Sequence, residues 1–201
     1  VLRKCPLVLE RIENVKSFRL QSNRSSTLKA AEDPSLFGAV FECMTNYVAL
    51  PKVSSENRKY IPIDYLTPDI IPGDKLFCMQ DASLYCLGVI TSNVHMAWMR
   101  AVCGRLKSDY RYSNDVVYNN FPWPTPTEEQ KKRIEETAQE ILNARAKYPD
   151  ASLADMYGEE MYLFPELLKA HNENDALINK LYGLSAKATE TEIVGRLMEL
   201  Y

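Results

Sequence analysis

No run of residues in this 201-residue chain approaches the ~20 consecutive apolar positions of a membrane-spanning helix. The opening Val1-Leu2-Arg3-Lys4 lacks the apolar core of a signal peptide. It also lacks Met and falls in the middle of a helical pattern, so the chain is expected to be a piece of a longer protein. Histidine is scarce: His95 and His171 stand far apart, with no H-E-x-x-H or Cys/His cluster to suggest a metal site. The five cysteines (Cys5, Cys43, Cys78, Cys86, Cys103) are odd in number and form no C-x-x-C pair. That argues against zinc and against a disulfide framework, and predicts buried free thiols in a reducing, cytosolic protein. Asn23-Arg24-Ser25 is then a chance match to a glycosylation sequon. Also missing are a G-x-G-x-x-G or Walker loop to cradle phosphates and a G-x-S-x-G elbow for nucleophilic attack. Glu128, Glu129, Glu135 and Glu136 fall at exposed helical positions and read as a solvated face. An independent hydrolase therefore has no residues to support it.

What is present divides the chain in two. Residues 1–124 hold 15 Lys/Arg against 12 Asp/Glu, and residues 125–201 hold 9 against 15. If either part meets a polyanion, it should be the first. Hydrophobic residues, at 46%, are enough to bury a sizeable core in one large or two small domains.

Over residues 1–21, Leu2, Leu9, Ile12, Val15 and Phe18 follow a helical spacing, with Arg3, Lys4, Arg11, Lys16, Arg19 and then Arg24 opposite. This reads as a solvated amphipathic helix, or as one that flanks nucleic-acid phosphates. Phe37–Phe41, Tyr47–Leu50, Tyr60–Leu66 and Lys75–Met79 are aromatic and β-branched runs punctuated by Pro51, Pro62, Pro68 and Pro72-Gly73-Asp74. They predict a small, mostly antiparallel sheet. The polar loop Ser54–Lys59 is either a solvated turn or a phosphate-contacting loop.

From Asp81 onward, Leu84, Leu87, Ile90, Thr91, Val94, Trp98 and Val102 form an apolar helical ladder. Gly88 and Asn93 mark a close helix contact and a break, and Gly104 is a plausible stop. His95 and Trp98 are expected to pack rather than react. Residues 107–112 alternate, with Lys107, Asp109 and Arg111 on one side of a strand. Ser113-Asn114-Asp115 would then turn into a second strand at Val116–Tyr118. Pro122, Pro124 and Pro126 suggest an extended interdomain connector over Asn119–Pro124. That segment is not the Asn-Pro-Pro-aromatic motif of amino methyltransferases, in which two prolines follow Asn directly. Beyond it, Thr127–Gln130 and Thr189–Glu192 are capping boxes, Pro165 opens a helix that runs to Tyr182-Gly183, and Ser152–Tyr157 is a short helical turn. The fold class is α+β: a small sheet mixed with helices over 1–123, then an all-α unit over 124–201.

The binding chemistry lies in the alternating segment. Lys donates to guanine and Asp accepts from cytosine N4 in the major groove. Two residues apart on a strand, Lys107 and Asp109 would point the same way about 7 Å apart, matched to one G·C pair. Arg111 continues the row. An exposed, salt-bridged strand is the simpler alternative.

Several segments together resemble a known family. They are His95-Met96-Ala97-Trp98, Gly104-Arg105-Leu106-Lys107-Ser108-Asp109-Tyr110-Arg111-Tyr112-Ser113 and Tyr118-Asn119-Asn120-Phe121-Pro122-Trp123-Pro124. Val53–Arg58 with Tyr60–Ile63, and Leu153–Tyr157 with Leu167–His171, extend the likeness over essentially the whole chain. The family is that of MmeI-like (type IIL) restriction–modification enzymes and related DNA methyltransferases. The resemblance implies a target-recognition domain over 1–123 and a C-terminal helical domain over 124–201. Neither is catalytic; the parent would methylate N6 of an adenine flipped from the duplex, and some members also cut DNA. S-adenosylmethionine would sit in the parent's own methyltransferase domain, outside this chain, and no cofactor is expected in this one. The partners implied are double-stranded DNA and that methyltransferase domain. Lys107, Asp109 and Arg111 become the base-reading residues, with Arg58 and Lys59 as candidates for the DNA backbone and Arg100 and Arg105 as candidates for the DNA backbone or for scaffold. A rival reading is a protein–protein adaptor that docks through Tyr110, Tyr112 and Trp123.

Overall fold

The structure, a computed structural model, describes residues 4–37 and 41–201. Two compact units make it up, residues 1–42 and 43–201.

In the first unit, Pro6 at the first helical position opens α1 (Pro6–Leu20), and α2 (Ser25–Lys29) follows. Arg19 ties them locally: its guanidinium donates to the carbonyls of Ala30 (2.7 Å) and Leu36 (2.8 Å). The expected amphipathic stripe does not form. No residue of α1 is buried, and Leu7, Val8, Leu9, Val15, Phe18 and Leu20 are all exposed. The reason is their spread: Leu7, Val8 and Leu9 are consecutive, so 100° steps carry them around the helix instead of along one face. Leu2 and Arg3 lie outside the described residues, as do three residues of the expected Phe37–Phe41 strand.

The second unit is built on two small antiparallel sheets. The first has the order β3-β1-β4, from β1 (Tyr47–Pro51), β3 (Asp64–Leu66) and β4 (Leu76–Gln80). The other has the order β2-β6-β5, from β2 (Val53–Ser54), β5 (Gly104–Leu106) and β6 (Asp109–Arg111). Lys52 joins them. Its N–H donates to the Lys75 carbonyl beside the first sheet, and its own carbonyl accepts from the Tyr112 N–H beside the second. Within the expected Tyr60–Leu66 run only Asp64–Leu66 pairs as strand, because Pro62 lacks the N–H a ladder needs.

The helical ladder forms as α3 (Leu84–Ile90) and α4 (Asn93–Val102), capped by the Ser83 and Ser92 side chains. Gly88 is where α3 meets α5 (Glu128–Ala146): a Cβ there would lie 2.6 Å from Ile134 Cγ2. Gly104 is not the helix stop. The chain turns extended at Cys103 (φ −71°, ψ 155°), and Gly104 already begins β5. Val116–Tyr118 is not a strand either; Asn114–Tyr118 is a π-helical turn. Ser113 caps it by accepting from the Val116 N–H, and Asn120 Nδ2 donates to the carbonyls of Asp115 and Val116. Two polar side chains closing five residues outweigh the strand preference of two valines.

The expected extended connector over Asn119–Pro124 forms only in part: Asn119 (φ −69°, ψ −23°) and Asn120 make a turn, the Phe121 N–H donates to the Tyr118 carbonyl, and the segment is packed down. Phe121 is buried, the Tyr182 hydroxyl donates to the Pro122 carbonyl (2.8 Å), and that of Tyr85 donates to the Pro124 carbonyl (3.2 Å). Beyond it come α5, α6 (Leu153–Met156), a 3₁₀ turn, α7 (Pro165–Leu181) and α8 (Glu190–Leu200). The capping boxes at Thr127/Gln130 and Thr189/Glu192 are both closed, and Gly183 ends α7 with a left-handed φ of +72°. One continuous core runs from Leu50 and Ile63 through Trp98 to Ile141, Leu167 and Leu197, so these helices and the sheets fold around shared interior. Of the cysteines, all free, only Cys43 is buried; Cys5 is exposed, contrary to expectation.

Candidate nucleic-acid interface

The feature that stands out from this core is the β5–β6 hairpin. Leu106 pairs with Asp109, so Lys107 and Ser108 form a two-residue turn. Lys107 takes a φ of +57° there, a region that favours glycine. The predicted single row of three readers is thereby corrected. Lys107 sits at the turn, off the strand alternation, and only Asp109 and Arg111 share a face of β6. The slip arises because the pattern of alternating charges continues through a turn whose register is set by the Leu106–Asp109 pair.

The two faces of the ribbon differ. Tyr110, between Asp109 and Arg111, is buried on the inner side with its cross-strand neighbour Ser54. On the outer side Arg111 lies beside Val53 and Gly104, all exposed, and Asp109 beside exposed Leu106. Lys107, Asp109 and Arg111 have no side-chain hydrogen bond or ion pair among the described residues. Their charges are uncommitted within the fold.

The four backbone-contact candidates are placed otherwise. Arg100 makes a two-pronged contact with Glu190 (2.8 and 2.9 Å) and donates to the Lys59 carbonyl. Arg105 donates to the Ser108 carbonyl (2.8 Å), approaches Glu56 at 3.6 Å, and lies over the Tyr110 ring at 4.1 Å. Arg58 is half-buried, with no hydrogen-bond partner for Nε among the described residues. Lys59 is exposed, its ammonium 5.0 Å from the centre of the Tyr60 ring. Arg100 and Arg105 are thus engaged inside the molecule, while Lys59 remains free of salt bridges among the described residues.

Beneath the ribbon the packing is aromatic. His95 is fully buried; Nε2 lies 2.9 Å from the Tyr112 hydroxyl, and its ring meets Phe121 edge-on. Burial pulls His95 down to about 3 and pushes the Tyr112 phenol up. The pair is neutral at ordinary pH, a packing device as the sequence suggested. Trp98 Nε1 donates to the Val117 carbonyl, which anchors the π-helical turn. Tyr110 and Tyr112 are both buried and Trp123 half-buried, so the docking surface imagined for an adaptor is interior.

Sequence reasoning missed one cleft. About 350 Å³ in volume, it is lined by Leu50, Phe77 and Ile90, by exposed Asn114 and Asp115 of the π-helical turn and by exposed Asn119 just after it. The obstacle is the π-helical turn, because a tight turn at Ser113–Asp115 followed by a strand at Val116–Tyr118 does not bring Asn114, Asp115 and Asn119 together over one opening. Among the described residues no group of three or more His, Cys, Asp or Glu side chains could hold a metal ion. No described helix is long and apolar enough to cross a membrane.

Comparison with known proteins places this geometry. The family model "MmeI, target recognition domain" matches residues 1–125, and "MmeI, C-terminal domain" matches residues 126–201. DNA methyltransferase A of Bacillus subtilis (strain 168) is 36% identical over 200 residues, which is all of this chain but 22% of that protein. The solved structure of the type IIL restriction-modification enzyme MmeI in complex with DNA superposes with a TM-score of 0.91 at 41% identity. It covers all of this chain and 27% of that one. The chain thus spans about a quarter of the length of these relatives. It belongs to the MmeI family, carrying the target recognition domain followed by the C-terminal domain.

Proposed function

We propose that this chain is the sequence-reading part of a DNA adenine-N6 methyltransferase, with the β5–β6 hairpin presented to the major groove and no catalytic role of its own. The observation that carries the reading is the set of uncommitted charges on the hairpin: Lys107 at the turn, Asp109 and Arg111 on its outer face. β2 pairs only with Tyr110 and Arg111, so the tip of the hairpin beyond it is a two-stranded ribbon, a shape the major groove admits and in which such side chains distinguish base pairs. Family membership and a DNA-bound relative support the same reading. A curated relative named as a DNA methyltransferase supports the reaction class.

S-adenosylmethionine belongs in this reading to another domain of the parent. The residues of this chain offer neither a glycine-rich phosphate loop nor an Asn-Pro-Pro-aromatic motif, so no step of methyl transfer is assigned to them.

Within the hairpin, Lys107 donates to guanine and Asp109 accepts from the cytosine amino group of one G·C pair, with guanine on the strand that Lys107 faces. Exchanging both charges in the complete polypeptide (Lys107→Glu with Asp109→Arg) should invert the preferred pair at that position. The readout is single-molecule mapping of methylated adenines in DNA exposed to each enzyme. An unchanged target in the doubly substituted enzyme would sink the assignment. Binding should also weaken steeply between about 50 and 200 mM salt, as phosphate contacts require and an apolar protein interface does not.

A further inference from the structure

Arg105 faces away from the outer row. Its cross-strand partner is Tyr110, whose ring it covers at 4.1 Å. From that position it donates to the carbonyl of Ser108, the second residue of the turn, at 2.8 Å. Its third contact is Glu56 at 3.6 Å, on the loop that follows β2. This loop is itself held to the helices that follow. Asn57 Nδ2 donates to Glu159 Oε1 (2.6 Å), and the Lys59 carbonyl accepts from Arg100, which is clamped on Glu190. A chain of polar contacts therefore runs from the turn at Ser108 through Arg105, Glu56 and Asn57 to Glu159.

The turn needs such support. Lys107 occupies the left-handed region at φ +57°, which disfavours residues with a Cβ. An unbraced two-residue turn with that residue relaxes toward other backbone geometries and redirects the ammonium. A planar guanidinium that stacks on one side chain while bonding a carbonyl fixes direction in a way a flexible ammonium cannot.

We propose that Arg105 is a positioning residue for base recognition: together with Glu56 and Tyr110 it holds the Lys107–Ser108 turn in its reading geometry, instead of contacting a DNA phosphate. The inference rests on the reading of Lys107 given above. It also gives the C-terminal domain a part in recognition, through the link from Asn57 to Glu159 in the turn that follows α6.

The test uses the complete polypeptide and fluorescence anisotropy. One labelled duplex carries the methylation site mapped for that enzyme. Three others differ only at the base pair assigned to Lys107. Arg105→Lys keeps the charge but removes the stacked, directed contact. It should lower the preference for the native pair about tenfold, with the slope of log K against log salt and the melting temperature unchanged. Glu56→Gln should move the same preference in the same direction, by about threefold. A phosphate contact predicts otherwise: Arg105→Lys would keep full discrimination, and Arg105→Ala would weaken all four duplexes alike while the salt slope falls by about 1. That pattern overturns the proposal. Lys107→Ala, measured alongside, separates the two levels. If it abolishes discrimination while Arg105→Lys does not, only the positioning role falls. If Lys107→Ala leaves discrimination intact, the reading of Lys107 falls and the role of Arg105 with it.

Discussion

Arg145, on α5, and Asp64, at the start of β3, form an ion pair at 3.1 Å across 81 residues of sequence. Arg145 is 7% exposed, so its charge is nearly removed from water and must be fully partnered. The remaining donors are used in the same place. One goes to the Ile63 carbonyl at 2.8 Å, and others meet the Tyr157 hydroxyl, which in turn lies 2.7 Å from His171 Nε2. The helical part of residues 43–201 is thus bonded to the sheet edge by one guanidinium. Arg145→Met leaves the Ile63 carbonyl and Asp64 without that partner. It should destabilise the protein by about 3 kcal/mol, measured by urea unfolding. Arg145→Lys should recover less than half of that loss, because one ammonium cannot span three acceptors set around a plane.

Next to this network lies Asp175, whose carboxylate accepts from the Tyr60 hydroxyl (2.6 Å) and the Asn93 N–H (2.8 Å). Burial outweighs those bonds and raises it to about 6. The folded protein therefore holds a proton that the unfolded chain has lost, so between about pH 4 and 6 this group makes the protein more stable as pH falls. His95 acts in the opposite sense. Burial lowers it to about 3, so below about pH 6.5 the unfolded chain takes up a proton that the folded one refuses. Its share of stability is lost on acidification, about 2 kcal/mol between pH 7 and 5. His171 is also pulled down, by burial first and then by Arg145 and Lys59, and adds to that loss. Two histidines against one carboxylate predict a net fall in stability from pH 7 to 5. Melting curves across that range should be shallower in pH dependence for His95→Gln and steeper for Asp175→Asn. The same slope in both variants would show that neither group titrates as argued.

Gly88 makes a third, purely steric prediction. Ile134 Cγ2 stands 2.6 Å from the place a Cβ would take, with Asn174 Oδ1 at 3.2 Å and the Ile134 carbonyl at 3.3 Å. The carbonyl belongs to the backbone of α5 and cannot step aside, while Asn174 is occupied in donating to the Gly88 carbonyl at 2.8 Å. Gly88→Ala should cost about 2 kcal/mol in spite of alanine's better helix propensity. Ile134→Ala, which removes Cγ2, should cost less in the Gly88→Ala background than alone in a double-mutant cycle, if that methyl contact is the cause.

What could be read from the sequence was what is decided locally. The capping boxes at Thr127 and Thr189 are four-residue motifs that satisfy their own backbone donors, and both formed where expected. The close approach at Gly88 was visible because a glycine inside an apolar ladder has few other reasons to be there. The turn at Lys107 was hidden by the same logic. Its register depends on which residue of β5 faces Asp109, a non-local choice that alternation along one strand cannot reveal. The links from Arg105 to Glu56 and from Arg145 to Asp64 were hidden likewise, since charge pairs far apart in sequence leave no periodic trace. In α1 the difference is of another kind: helical spacing is present, but three adjacent apolar residues spread it over more than half of the circumference.

Lys107 combines an unfavourable backbone with an uncommitted charge, which makes stability and recognition separable at one position. Glycine adopts a φ of +57° without the Cβ clash that lysine meets. Lys107→Gly should therefore stabilise the fold by up to about 1 kcal/mol, less whatever the freer unfolded chain takes back. The same change deletes the ammonium assigned to guanine. Discrimination at that base pair should fall by about 1–3 kcal/mol, the range of a good base contact. Lys107→Asn serves as the control, because asparagine also tolerates left-handed backbone but carries no charge. Both variants should melt no lower than the parent and bind all four base-pair duplexes nearly equally. A melting temperature that drops in both would mean that Lys107 serves the fold, and that its turn is not held open for DNA.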